Sequence, residues 1–154
     1  MGKRWRFLVT GVSGAGKTSL CSALLGTNGR VLKTQSPVFH GDLIMDLPGE
    51  YLTHPHLRTA LLSCIEDVAA VVFVHPADGG VYHVPPGLLS TVPNVRLVGV
   101  VSKTDLADPA AARAELARLG LPGPVFECSI HRPQSIQRLR DWLREQGMLP
   151  AEGE

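Results

Sequence analysis

The sequence predicts an α/β fold, a parallel sheet covered on both faces by helices, and three observations carry that prediction. Short apolar runs alternate along the whole chain with segments whose apolar residues recur at helical spacing. The run at 68–74 is continuously apolar and β-branched, as a strand buried on both faces is. The motifs that carry chemistry fall directly after apolar runs, at the carboxyl ends of the strands, where ligands bind in such sheets. The length, 154 residues with 44% apolar residues, suits a single core. Residues 1–149 read as one domain and 150–154 as a frayed tail.

The elements follow in order. Phe7-Leu8-Val9, within 4–10, reads as a buried strand ending at a glycine. Leu20, Ala23 and Leu24 mark a helix over 16–25, and Gly26-Thr27-Asn28-Gly29 ends it. Residues 30–41 read as a loop leading to a short edge strand, followed by the brief strand Leu43-Ile44-Met45. Leu57, Leu61 and Ile65 place a helix near 55–66. After the strand at 68–74, residues 76–93 are rich in Pro and Gly and predict loop with at most a short helix. Residues 95–101 form the next buried strand. Asp108-Pro109 reads as an N-cap with Pro in the first turn, and Gly120 as the close of that helix. Residues 124–128 give a short last strand. Ile136, Leu139 and Leu143 give the final helix its apolar stripe, with Trp142 beside it.

The most specific motif is Gly11-Val12-Ser13-Gly14-Ala15-Gly16-Lys17-Thr18, which fits G-x-x-x-x-G-K-[ST] between a strand and a helix. Glycines let the loop close around phosphate oxygens, and the helix start adds its positive end. Lys17 would reach the β- and γ-phosphates as a solvent-facing ligand, and the Thr18 hydroxyl would ligate Mg²⁺. This is a P-loop nucleotide site. Asp46-Leu47-Pro48-Gly49 follows a later strand; Asp46 would hold Mg²⁺, usually through water, and the Gly49 N–H would meet the γ-phosphate. Thr34, between these motifs, is the candidate for a γ-phosphate-sensing Mg²⁺ ligand, with a plain surface threonine as the alternative.

Ser102-Lys103-Thr104-Asp105 resembles the guanine-recognition motif [NT]-K-x-D of G proteins. The Asp105 carboxylate would accept from guanine N1–H and N2–H₂ together, a donor pair adenine lacks. The Lys103 stem would pack over the base. Cys128-Ser129-Ile130 is a degenerate match to the S-A-[KL] loop, whose backbone supports guanine O6. The nucleotide-binding set is therefore Gly11, Ser13, Gly14, Ala15, Gly16, Lys17, Thr18, Ser19, Lys103, Asp105, Ser129 and Ile130. The metal set is Thr18, Thr34 and Asp46.

Taken together, the phosphate loop and Asp46-Leu47-Pro48-Gly49-Glu50-Tyr51-Leu52 resemble the EutP/PduV family, over nearly the whole chain. These are small Ras-like proteins linked to ethanolamine and propanediol utilisation and to bacterial microcompartments. The resemblance implies a three-layer G domain whose six-stranded sheet is mostly parallel, with one antiparallel edge strand. GTP hydrolysis and phosphoryl transfer to acetate are both associated with the family. Leu47 and Ser102 stand where the family often has Thr.

Glu50 takes the place where Ras-like proteins often carry a Gln that orients the attacking water. A carboxylate beside a triphosphate is repelled unless Mg²⁺ or a proton offsets its charge, and Ser13 crowds the γ-phosphate. Both point to slow hydrolysis or to a different mechanism; the alternative is a Glu50 that faces solvent. The catalytic set is Lys17, Gly49 and Glu50. Two functions follow: a GTP-binding protein with weak Mg²⁺-dependent GTPase activity, or a kinase passing the γ-phosphate of GTP or ATP to a short carboxylate such as acetate. The first implies partner surfaces at 30–41 and 50–60. The second needs a cation beside the acceptor, with Arg30 and Arg58 as candidates.

Other classes are excluded on composition. Lys and Arg number 15 against 14 Asp and Glu, which gives no footprint for nucleic acid or an acidic membrane. The apolar run at 68–74 is too short to span a bilayer, and Arg6 breaks a myristoylation pattern. Cys21, Cys64 and Cys128 lie far apart and read as reduced thiols of a cytoplasmic protein. His54-Pro55-His56 has the wrong spacing and no third ligand nearby for a metal site.

Overall fold

The computed structural model describes residues 5–11, 15–25, 38–40, 44–46, 54–65, 68–79, 96–121 and 123–149. Its strands are β1 (Trp5–Gly11), β2 (Val38–His40), β3 (Ile44–Asp46), β4 (Val68–Pro76), β5 (Arg96–Ser102) and β6 (Val125–Glu127). Its helices are α1 (Lys17–Leu25), α2 (Pro55–Ile65), α3 (Ala110–Arg118) and α4 (Pro133–Glu145). The predicted loop at 76–93 lies mostly outside the described residues, as does the tail at 150–154. β4 runs two residues beyond the predicted 68–74, through the buried His75 to Pro76.

The sheet order is β2-β3-β1-β4-β5-β6. β2 pairs antiparallel with β3, and the other neighbours are parallel. The chain leaves β1 for one side of the sheet and later crosses to the other. The end of β1 is therefore the point where the strand order reverses, and ligands in open α/β sheets bind at such points. The register aligns Asp46 with Val9, Val74 with Gly11, Ser102 with Pro76 and Glu127 with Val101. The carboxyl ends of five strands thus form one rim.

Successive residues of a strand point to opposite faces, and the core divides accordingly. On one face Leu8, Val71, Phe73 and Val101 pack with Ile65 of α2 and Ala112 and Leu116 of α3. On the other, Phe7, Val9, Val72 and Val98 pack with Leu20 and Leu24 of α1 and with Ile136, Leu139 and Leu143 of α4. Gly99 lets the end of α3 come down onto β5, since a Cβ there would lie 2.4 Å from Leu121 Cδ2.

Helix ends follow local chemistry. The Asp108 carboxylate accepts the Ala110 amide hydrogen at 2.8 Å. At the far end of α3 the Gly120 N–H donates to the Ala117 carbonyl and the Leu121 N–H to that of Leu116. This is a Schellman close, with Gly120 at φ 92°. α4 closes the same way: the Gly147 N–H donates to Arg144, the Met148 N–H to Leu143, and Gly147 has φ 76°. Arg140 of α4 donates through Nε to the Leu24 carbonyl at 3.1 Å and through Nη2 to that of Ala23. It caps the last carbonyls of α1, which have no partner within their own helix.

Candidate nucleotide site

The phosphate half is set by two glycines. Gly11 has φ 144°, and a Cβ on it would stand 2.0 Å from the Val74 carbonyl oxygen. Only a residue without a side chain lets β1 leave the sheet so close to β4. Gly16 has φ 82° with open space around it, so conformation alone selects glycine there. α1 then begins at Lys17. Ala15 is fully buried, and Thr18 and Ser19 are half-buried.

Lys17 corrects an expectation. It retains only 9% of its exposure and is buried, not solvent-facing. It starts a helix that follows the end of central strand β1 after one short loop, so its stem begins close to the rim of strand ends. Asp46 ends β3 opposite Val9, one strand from the phosphate loop. Ser13, Gly14, Thr34, Gly49, Glu50 and Arg30 lie outside the described residues, and of Arg58 only its place in α2 is described.

The base half comes from the ends of β5 and β6. The Ser102 hydroxyl donates to the Ala15 carbonyl at 2.7 Å, joining β5 to the phosphate loop across 87 residues. Lys103 adopts a left-handed backbone with φ 57°, at a cost of about 1–2 kcal/mol. The turn is held because the Leu106 N–H donates to the Lys103 carbonyl at 2.9 Å and the Thr104 N–H to that of Cys128 at 3.3 Å. Asp105 is exposed, and the Ser129 hydroxyl donates to its Oδ1 at 2.7 Å. That bond, helped more weakly by the Asp105 backbone and by His131 and Arg132, holds the carboxyl below its ordinary range.

The same bond puts the Ser129 hydroxyl, not the Cys128 thiol, on the Asp105 carboxylate. Cys128 is buried, and burial pushes its thiol up to about 12. It is a packed wall, not a reactive group.

These residues enclose a cavity of about 180 Å³ whose lining includes Gly16, Leu20, Ser102, Lys103, Asp105 and Ile136. Leu106 and Ile130, 63% and 53% exposed, stand at its edge. An apolar slot with one carboxylate, already oriented and ionised, suits a planar base that offers paired N–H donors. The residues present therefore fit a guanine nucleotide, with Thr18 and Asp46 as candidate holders of Mg²⁺. Ser135 was not singled out by sequence. Its hydroxyl accepts the Ser129 N–H at 2.9 Å, and no motif or spacing marks it.

Among the described residues no group of three or more His, Cys, Asp and Glu could hold a metal ion. His54 and His56 are exposed, their rings 5.6 Å apart. No helix among the described residues is long and apolar enough to cross a membrane.

Solved structures share this fold. A probable GTP-binding protein engB matches with a TM-score of 0.62 at 16% identity, covering 91% of this chain and 97% of that one. A point variant of Era from Aquifex aeolicus, bound to GDP and aluminium fluoride, matches with a TM-score of 0.62 at 18% identity, covering 99% and 58%. Sequence relatives are nearer. The probable acetate kinase EutP of Salmonella typhimurium is 42% identical over 142 residues, 90% of this chain and 88% of that protein. Its namesake in Escherichia coli K12 is 41% identical over 140 residues, with the same coverage. The propanediol utilization protein PduV of Citrobacter freundii is 36% identical over 104 residues, 68% of each chain. The model of the PduV-EutP family, described as ethanolamine utilisation – propanediol utilisation, matches residues 4–145. With the P-loop GTPase-like fold and these relatives in agreement, the chain belongs to the PduV-EutP family of ethanolamine and propanediol utilisation.

Proposed function

We propose that this chain binds GTP with Mg²⁺ and cleaves its γ-phosphate slowly, as a cytoplasmic protein of ethanolamine or propanediol catabolism. The observation that carries the reading is the Asp105 carboxylate, held by Ser129 at the mouth of an apolar slot. Gly11, Gly16, Lys17, Thr18 and Ser19, with Ser13 and Gly14, serve the phosphates; Lys103, Asp105, Ser129 and Ile130 serve the base. Thr18, Thr34 and Asp46 would hold Mg²⁺, whose charge would offset that of the phosphates. Partners of a microcompartment would meet the surfaces at 30–41 and 50–60.

A second reading has its own support: relatives at 41–42% identity carry the name probable acetate kinase. In both readings the bond from the γ-phosphorus to the bridging oxygen breaks and the nucleoside diphosphate leaves. Attack by water yields phosphate; attack by the acetate oxygen yields acetyl phosphate. Phosphoryl transfer depends mainly on positioning and charge neutralisation, so one nucleotide site serves either acceptor.

Turnover of GTP and ATP with and without acetate, with hydroxylamine to trap acyl phosphate as hydroxamate, separates them. The first reading expects free phosphate at a rate indifferent to acetate and no hydroxamate. Acetate-dependent hydroxamate, lost in Lys17→Ala, establishes the kinase instead. Lys17→Ala should weaken GTP by about 2–3 kcal/mol, the loss of a charge-assisted bond, and unchanged binding by calorimetry would remove the phosphate-site assignment.

A further inference from the structure

Asp105 is aimed by Ser129, and Ser129 sits in a turn that something else must hold. Its backbone N–H is buried with the rest of the residue, and the Ser135 hydroxyl accepts it at 2.9 Å. The same hydroxyl lies 2.7 Å from the Arg132 carbonyl and 3.1 Å from that of Ser129, and donates its proton to them. The Arg132 N–H closes the turn on the Ser129 carbonyl at 3.0 Å, and the His131 N–H donates to Ser129 Oγ at 3.1 Å. One side chain in the first turn of α4 thus spans both ends of the loop.

We propose that Ser135 is a positioning residue for base recognition, fixing the 129–132 turn so that the Ser129 hydroxyl keeps the Asp105 carboxylate directed at the guanine edge. The inference rests on the guanine reading above and adds to it the residue that sets its selectivity. Ser135 touches no nucleotide; it acts through Ser129. Without its hydroxyl the buried Ser129 N–H loses its partner, and the turn relaxes to find another. Ser129 then no longer holds Asp105 in one orientation, and the carboxylate turns towards solvent.

The test compares GTP with ITP, which lacks only the N2 amine that Asp105 would accept. The wild-type protein should prefer GTP. In Ser135→Ala that preference should fall about three- to tenfold, the worth of one hydrogen bond, with ITP, which still offers N1–H, losing less affinity than GTP. The Asp105 carboxyl, followed by carbon NMR, should titrate higher in the variant as Ser129 releases it. Ser135→Thr keeps the hydroxyl and should keep both the preference and the low titration. Should Ser135→Ala fail to fold, Ser135→Cys, of similar size and a poor hydrogen-bond partner, reads the same ratio. A wild-type preference that survives in Ser135→Ala overturns the inference alone. So does an equal loss of GTP and ITP affinity. A wild-type protein without preference for GTP over ITP overturns the guanine reading and this inference with it.

Discussion

Leu116 and Ile136 are both buried aliphatic side chains on helices that cover the same sheet, one on each face, and only Ile136 is also a wall of the base cavity. The α2–α3 face packs Leu8, Phe73, Leu116 and Leu119, none of which lines the base cavity. The α1–α4 face packs Phe7, Val9, Leu24 and Leu139, and its packing continues through Leu20, Cys128 and Ile136 to the ligand slot. The first face supplies cohesion. The second supplies cohesion and the shape that a base would meet, so its side chains answer to two demands.

The largest expected effect tests that division. Leu116→Ala and Ile136→Ala should each lower stability by about 2–5 kcal/mol, the range for truncating a buried aliphatic side chain. Saturating GTP should then stabilise Leu116→Ala as much as wild type, because its slot is intact, and Ile136→Ala less. Denaturant unfolding with and without nucleotide measures both. Equal stabilisation of the two variants would break the comparison.

A smaller effect lies between the helices of the nucleotide face. Arg140→Ala removes two bonds to the end of α1, from Nε and Nη2 to the Leu24 and Ala23 carbonyls. A loss of about 1–2 kcal/mol is expected, read from the midpoint of denaturant unfolding. Arg140→Lys should recover little of it, because an ammonium cannot reproduce the two-pronged geometry.

The smallest effect is one of pH and concerns only the exposed edge of the slot. Asp105 is held low chiefly by the Ser129 hydrogen bond, so it takes up its proton at a pH below the ordinary carboxylate value of about 4. A folded pKa below the unfolded one contributes stability above the unfolded value, lost as pH falls through the folded one. Preference for GTP over ITP should therefore fall with a midpoint below the ordinary carboxylate value. Affinity measured across the series checks this; a fall centred at or above the ordinary carboxylate value would show that Ser129 does not hold Asp105.

Much of this is legible in the sequence. The β-branched run at 68–74 can hardly be anything but a central strand, and Asp108, Pro109 and Gly120 mark the ends of α3 because each answers a backbone requirement. Gly147 carries the same signal as Gly120 but stands in a polar stretch near the tail, and only the structure shows that it closes α4 by the same two bonds. Elsewhere the sequence holds no signal. That the Ser129 hydroxyl reaches the Asp105 carboxylate, 24 residues earlier in the chain, is visible only in the structure. Ser135 lies six residues further on, at a spacing that no repeat or motif fixes. The burial of Lys17 is hidden because charge predicts exposure, whereas a helix start above strand ends reverses it.

The Arg140 bridge also says something about how the molecule is made. It joins α4, the last helix of the described residues, to the carbonyls of α1, the first, across 116 residues. Chains emerge from the ribosome N-terminus first and fold as their parts become available. Until α4 arrives, α1 lacks its cap, Leu20, Cys21 and Leu24 lack their cover, and Ser129 lacks Ser135. The phosphate loop is synthesised early, yet the base slot closes only when the other end of the fold docks. A finished slot is then a property of the completed chain, and a chain cut short before α4 would present chaperones with an uncovered sheet face.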